Sequence, residues 1–179
     1  PPFEGNEVKI AEDGEILVKG ENVMLGYWNK KEETNKAIKE GWLYTGDIGE
    51  IDTDGYLKIT DRKKDIIISA GGDNISPAKI ENQLANFLEI EQAMVYGDGK
   101  NYLVAIIVPA KKFIKQKEKI NDIVNKVNNN LTLVEKIKKF KLVDESFTIE
   151  NGLLTPTMKV KRSKVISKYR NILESFYKK

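Results

Sequence analysis

Apolar and polar positions alternate in short runs through the first third of the chain and gather into longer apolar blocks only later. Val8–Ile10 and Glu15–Lys19 flank Ala-Glu-Asp-Gly, a turn signal, and predict a hairpin. Asn29 begins NKKEETNKAIKE, whose spacing predicts a polar helix with Lys31 to Lys39 mostly facing solvent and Ala37 and Ile38 turned inward. Ile48–Ile51 and Tyr56–Thr60 flank DTDG, with Asp-Gly at the turn of a second hairpin. This short-stranded, turn-rich portion reads as part of a small barrel whose other strands lie elsewhere.

After DRKKD the texture changes. Ile66–Ser69 reads as an apolar strand, and Ser76-Pro77 opens a helix through about Leu88, with proline in its first turn. Ala93–Tyr96 and Leu103–Val108 predict strands around the turn GDGKN. Lys111–Lys119 and Asn121–Lys136 read as helices, with Ile120, Val124, Val127 and Leu131 along one face. Lys141–Phe147 reads as a strand and NGLLTPT as a loop. Arg162 or Ser163 starts a last helix whose buried stripe is Val165, Ile166, Tyr169, Ile172, Leu173 and Phe176. Hairpins mixed with helices predict the α+β class. Residues 1–61 form the barrel remnant, and 62–65 form a joint where charge is dense and no apolar residue intervenes. Residues 66–179 form a compact α+β domain.

Composition removes several chemistries. The 179 residues contain no cysteine and no histidine, so disulfides, thiolate metal sites and Ser-His or Cys-His nucleophiles are not available within them. No apolar run is long enough to cross a bilayer, and PPFEGNEVKI lacks a basic-then-apolar signal. The 30 Lys and Arg against 27 Asp and Glu leave a formal charge of +3, too even a balance for a nucleic-acid binder. The basic run from Lys159 to Lys179 also lacks interleaved aromatic residues. Lack of cysteine fits a reducing compartment, and the chain is read as cytoplasmic.

Candidate chemistry concentrates between Gly41 and Ile75, in GWLYTGDIGEIDTDGYLKITDRKKDIIISAGGDNI, which is expected to deliver Asp47, Arg62, Gly71 and Gly72 into connecting loops. A carboxylate accepts both hydroxyls of a ribose at once, and Thr45-Gly46 permits the tight turn that would expose it; the plainer alternative is an Asx-type turn cap. A guanidinium stays charged and presents several donors. Paired glycines serve either close backbone approach by a ligand or a turn needing positive φ. Lys63 reads as a solvated turn residue.

Together with GEILVKGENVMLGYWN and LTPTMKVKR, these segments resemble the acyl-adenylate-forming (AMP-binding) enzymes. Within that superfamily the chain is similar to the C-terminal portion of the long-chain fatty acid:CoA ligases, over nearly its whole length. The resemblance implies a barrel remnant followed by a mobile lid domain of the acetyl-CoA synthetase-like fold. It implies that Asp47 and Arg62 bind the nucleotide at its ribose. Lys64 would be the hinge about which the lid swings between adenylation and thioester formation, and Gly71 and Gly72 would line the channel for the CoA pantetheine. The family's catalytic lysine, usually preceded by Ser-Gly, corresponds to Lys159, preceded here by Thr157-Met158; Lys161 is the alternative. Such a lysine neutralises the charge that develops when a carboxylate attacks the α-phosphorus of ATP.

The implied reaction joins a fatty acid to ATP with release of pyrophosphate, and CoA then displaces AMP. The same resemblance implies a large N-terminal lobe carrying the phosphate loop, the acyl tunnel and the Mg2+ ligands, so no metal ligand is assigned here and this segment alone is expected to be inactive. The competing readings are the lid of another adenylate former (an acyl-AMP ligase, or an aryl- or acetyl-CoA ligase) and a non-catalytic module that binds nucleotide or a partner. Strands of the barrel remnant are expected to be mobile or to pair between copies. Peripheral membrane contact is left open.

Overall fold

The hairpin expected near the start is present as β1 (Asn6–Ile10) and β2 (Glu15–Gly20), in register from Asn6 opposite Gly20 to Ile10 opposite Ile16. These elements come from a computed structural model that describes residues 2–178. α1 (Lys31–Ala37) stops short of the predicted Lys39, because Ile38 is extended (φ −119°, ψ 118°) and opens β3 (Ile38–Lys39), which pairs with Trp42 and Leu43. β4 (Trp42–Ile51) begins well before the predicted Ile48. Trp42, Leu43, Tyr44 and Thr45 are all strand-favouring residues, and Gly46, which reads as a turn, is instead a kink inside the strand with φ 71°. β5 (Leu57–Arg62) returns along β4. The resulting sheet runs β1-β2-β4-β3, with β5 also on β4.

The described residues fall into two compact units divided after Ile66. Within the first, Ile16, Leu17 and Glu15 are the buried side chains, whereas Leu25, Trp28 and Ile59 are 102%, 90% and 61% exposed. A 3₁₀ turn over Lys63–Asp65 follows β5.

The second unit opens on a small antiparallel pair, β6 (Ile67–Ile68) and β7 (Asn74–Ile75). The strand predicted over Ile66–Ser69 is shorter because Ser69 already turns, its N–H donating to the Asp73 carbonyl. α2 (Pro77–Ala85) starts as read: the Ser76 hydroxyl accepts from the Lys79 N–H and proline occupies the first turn. It ends before Leu88, which is 90% exposed.

β8 (Ile90–Tyr96), β9 (Leu103–Pro109) and β10 (Ile137–Leu142) make a three-stranded sheet in the order β10-β9-β8, with β9 antiparallel to β8 and parallel to β10. Every residue of β9 is buried because both faces of the sheet are covered. Leu103, Ala105 and Ile107 face one core with Ile80 and Leu84 of α2 and Ile120 and Val124 of α3 (Lys117–Asn129). Val104, Ile106 and Val108 face the other with Phe147, Leu154 and Val165. The two-residue period of a strand thus feeds two hydrophobic layers.

Three predicted bounds in this unit are corrected. Lys111–Phe113 is only a 3₁₀ turn, and α3 begins at Lys117 and takes in Ile120. α3 ends at Asn129 rather than running to Lys136, since Asn128 both donates to the Ile137 carbonyl and accepts from the Ile137 N–H. The strand expected over Lys141–Phe147 lies earlier, over Ile137–Leu142, and Phe147 is a core anchor whose backbone N–H and carbonyl are both held by the Gln92 amide. The last helix, α4 (Arg162–Ser175), matches expectation: Val165, Tyr169 and Leu173 are buried, with Ile166, Ile172 and Phe176 packed beside them.

Candidate functional site

Asp47 and Arg62 do not lie in connecting loops; they sit within β4 and β5 and are direct register partners. The Nε of Arg62 is 2.8 Å from Oδ1 of Asp47, with the acid side chain one-fifth exposed and the guanidinium about half exposed. Local chemistry aims this pair. The Thr45 hydroxyl donates to the Ile16 carbonyl and accepts from the Asp47 N–H, while the Gly46 N–H donates to Oε1 of Glu15. Gly46 alone could take the positive φ this kink demands without strain. The register shifts between Ile48 and Gly49, and such an irregularity turns side chains out of the regular alternation. The Arg62 guanidinium approaches Asp47 through Nε as an ion pair.

Lys63 is an exposed turn residue, as expected, but its ammonium is ion-paired. Its ammonium lies 2.6 Å from Oδ2 of Asp13 and 2.8 Å from Oε2 of Glu15, a carboxylate that is only 4% exposed. The hydrogen bond from Lys63 holds the Asp13 carboxyl below the usual carboxylate range, and the two acids raise the Lys63 ammonium above the usual lysine value. The signal for this in sequence is faint: two acids flank Gly14 in one hairpin turn, and their partner is far along the chain. Lys64, beside it in the 3₁₀ turn, is exposed.

Gly71 and Gly72 occupy the loop between β6 and β7. The Ser69 hydroxyl organises it, donating to the Asp73 carboxylate at 2.7 Å and accepting from the Gly71 and Asp73 N–H groups. The two glycines differ. Gly72 has φ 89° and is required by the turn, whereas Gly71 has no positive φ and lines a cavity of about 220 Å³ with Ser69, Lys100 and Tyr102.

Lys159 sits on a tight hairpin closed by the bridge between Leu154 and Val160. The Thr155 N–H donates to the Lys159 carbonyl at 2.8 Å, and the Thr155 hydroxyl accepts from the Lys159 N–H at 3.0 Å. Met158 takes φ 63°, a left-handed conformation that glycine would adopt freely. The Lys159 side chain is exposed and that of Lys161 half-buried.

Arg162, at the base of this hairpin, is a residue whose role the motif reading missed. Its guanidinium bonds both oxygens of Glu81 on α2, at 2.7 and 3.0 Å, and the Val95 carbonyl on β8 at 2.6 Å. It therefore ties the lysine hairpin and α4 to the rest of the second unit. Among the described residues no group of three or more metal-ligating side chains is placed to hold a metal ion.

Known proteins share this α+β arrangement. Residues 64–179 match the AMP-binding enzyme C-terminal domain, and the chain belongs to that family. Over 99% of its length it is 39% identical to the long-chain-fatty-acid–CoA ligase FadD15 of Mycobacterium tuberculosis, of which it covers 33%. The chain therefore spans about a third of the length of the curated relatives it matches. The adenylation domain of a carboxylate reductase from Mycobacterium chelonae superposes with a TM-score of 0.86 at 26% identity, over 99% of this chain and 31% of that one. The A-PCP didomain of a carboxylic acid reductase from Segniliparus rugosus, solved in complex with AMP, does so with a TM-score of 0.86 at 25% identity, over 99% and 28%. The expected α+β fold and the family resemblance both hold.

Proposed function

We propose that this chain is the nucleotide-closing C-terminal portion of an ATP-dependent long-chain fatty acid:CoA ligase. The observation that carries the reading is the 2.8 Å Asp47–Arg62 pair, found in a chain 39% identical to such a ligase. A carboxylate oriented by a guanidinium fits the two hydroxyls of a ribose, so Asp47 and Arg62 hold the nucleotide of ATP and then of AMP. Lys159 stabilises the charge on the α-phosphoryl oxygens as a fatty carboxylate attacks and pyrophosphate leaves. The CoA thiol then adds to the acyl carbonyl carbon and AMP departs. Rotation at Lys64 presents Gly71 to the pantetheine between these steps, and the cavity beside Gly71 suits a thin chain. Mg2+ accompanies ATP, with its ligands outside this segment. The exposed Leu25, Trp28 and Ile59 support packing of the first unit against the remainder of the enzyme.

In the complete ligase, Lys159→Ala should abolish formation of the acyl-adenylate while sparing transfer from preformed adenylate to CoA, and Lys161→Ala should leave both largely intact. The reverse pattern would reassign the role to Lys161. Loss in neither variant would remove the lysine hairpin from the chemistry. A screen of thiol acceptors separates CoA from a carrier protein, the alternative for a relative of this family.

A further inference from the structure

The buried carboxylate of Glu15 joins two places the reaction uses separately. Its Oε1 accepts from the Gly46 N–H at 2.8 Å, beside the nucleotide acid Asp47, and its Oε2 accepts from Lys63 at 2.8 Å, beside the joint residue Lys64. Asp13 completes the clamp: Oδ2 takes a second bond from Lys63 at 2.6 Å, and Oδ1 accepts from the Glu15 N–H at 3.1 Å. We propose that Lys63 is a positioning residue, pinned by Glu15 and Asp13 so that rotation of the chain begins at Lys64, and that Glu15 couples this pin to the kink that aims Asp47. The proposal rests on the reading of Lys64 as the hinge.

The physical argument is one of cost. Turning the backbone at or before Lys63 would draw its ammonium away from a carboxylate that is 4% exposed, leaving that charge buried without its partner. Turning from Lys64 onward breaks neither bond. The pin thereby separates Arg62, which must stay on the ribose, from the residues that must move. Without it, the rotation can spread back along Arg62–Lys63, and the arrangement needed for transfer is reached less often.

The test uses the complete ligase, with adenylate formation and single-turnover transfer to CoA measured separately. Lys63→Met should slow transfer about tenfold while changing adenylate formation by less than about twofold, and Lys63→Arg, which retains a charged donor, should restore most of the loss. Glu15→Ala removes the pin and the partner of Gly46 together, so it should slow transfer and also raise the KM for ATP. Thermal melting identifies any variant that merely fails to fold. Equal loss of both half-reactions in a folded Lys63→Met, no loss in either, or no rescue by Lys63→Arg overturns the proposal. Lys64→Pro distinguishes the two levels, because proline locks φ at the joint. If Lys64→Pro stops transfer and Lys63→Met does nothing, only the pin fails; if Lys64→Pro transfers at the unmodified rate, the hinge reading fails and the pin with it.

Discussion

The Nε of Arg62 lies 2.8 Å from Oδ1 of Asp47, and the two residues stand directly opposite each other across β4 and β5. Their geometry is set by the sheet, so either one reports on the other. The pair couples β5, which ends at Arg62, to β4, which carries Asp47.

Arg62→Lys keeps the charge but removes the planar fork, and a lysine cannot hold Asp47 through one nitrogen while offering others to a ribose. The AMP affinity of the complete ligase should fall about tenfold, corresponding to the ~1.5 kcal/mol typical of a hydrogen bond to a charged group. Titration calorimetry with AMP reads this directly, and unchanged affinity would dissociate the pair from the nucleotide.

Met158 is 66% exposed and holds φ 63°, so it incurs backbone strain without compensating burial. Met158→Gly should therefore stabilise the second unit by about 1 kcal/mol, the penalty a side chain carries in the left-handed region. Gly72→Ala, at φ 89°, should destabilise it by a similar ~1 kcal/mol. Urea unfolding of the chain measures both, and the two shifts should have opposite signs.

Arg162 and Glu81 are each 16% exposed, and Arg162→Met removes the acid's guanidinium partner, leaving it the Val95 N–H, and also removes the bond to the Val95 carbonyl. A loss of about 3 kcal/mol is expected, as for breaking a largely buried pair from one side. The same variant should quicken amide exchange at Lys161, whose N–H donates to the Leu153 carbonyl at the hairpin base.

Acid should destabilise the second unit from below the ordinary glutamate value of 4.5. Burial alone pushes the Glu135 carboxyl up, but the Lys79 ammonium and the Thr132 N–H and hydroxyl outweigh it and hold it low; Glu174 is held low by Lys100 and Tyr96. A carboxyl whose folded value is depressed adds stability above its unfolded value, and that stability is lost as pH falls through the folded one. Urea midpoints should thus drop as pH falls below about 4.5, and Lys79→Met should flatten that drop. A midpoint insensitive to pH below that value would contradict the assignment.

Much of the architecture was legible because apolar periodicity records burial locally. The stripe Val165, Tyr169 and Leu173 of α4, the Ser76 cap with Pro77, and the apolar run of β9 each follow from spacing or capping chemistry within one segment. The errors fell where a side-chain partner elsewhere in the chain overrides the preference of the segment itself. Gly46 reads as a turn, yet Glu15 and the flanking strands hold it inside β4. Residues 130–136 carry helical character, yet the Asn128 side chain captures Ile137 and starts β10.

Sequence by itself determined the chemical parts: an acid after Thr-Gly, a guanidinium after the second hairpin, paired glycines, a lysine before a final amphipathic helix, and no cysteine or histidine. Only the tertiary structure decided which parts meet. Asp47 reaches Arg62 through strand register, Lys63 reaches Asp13 and Glu15 across nearly fifty intervening positions, and Arg162 reaches Glu81 from another helix. Register and helix packing are collective outcomes of burying whole faces, so no local pattern of residues encodes such a pairing.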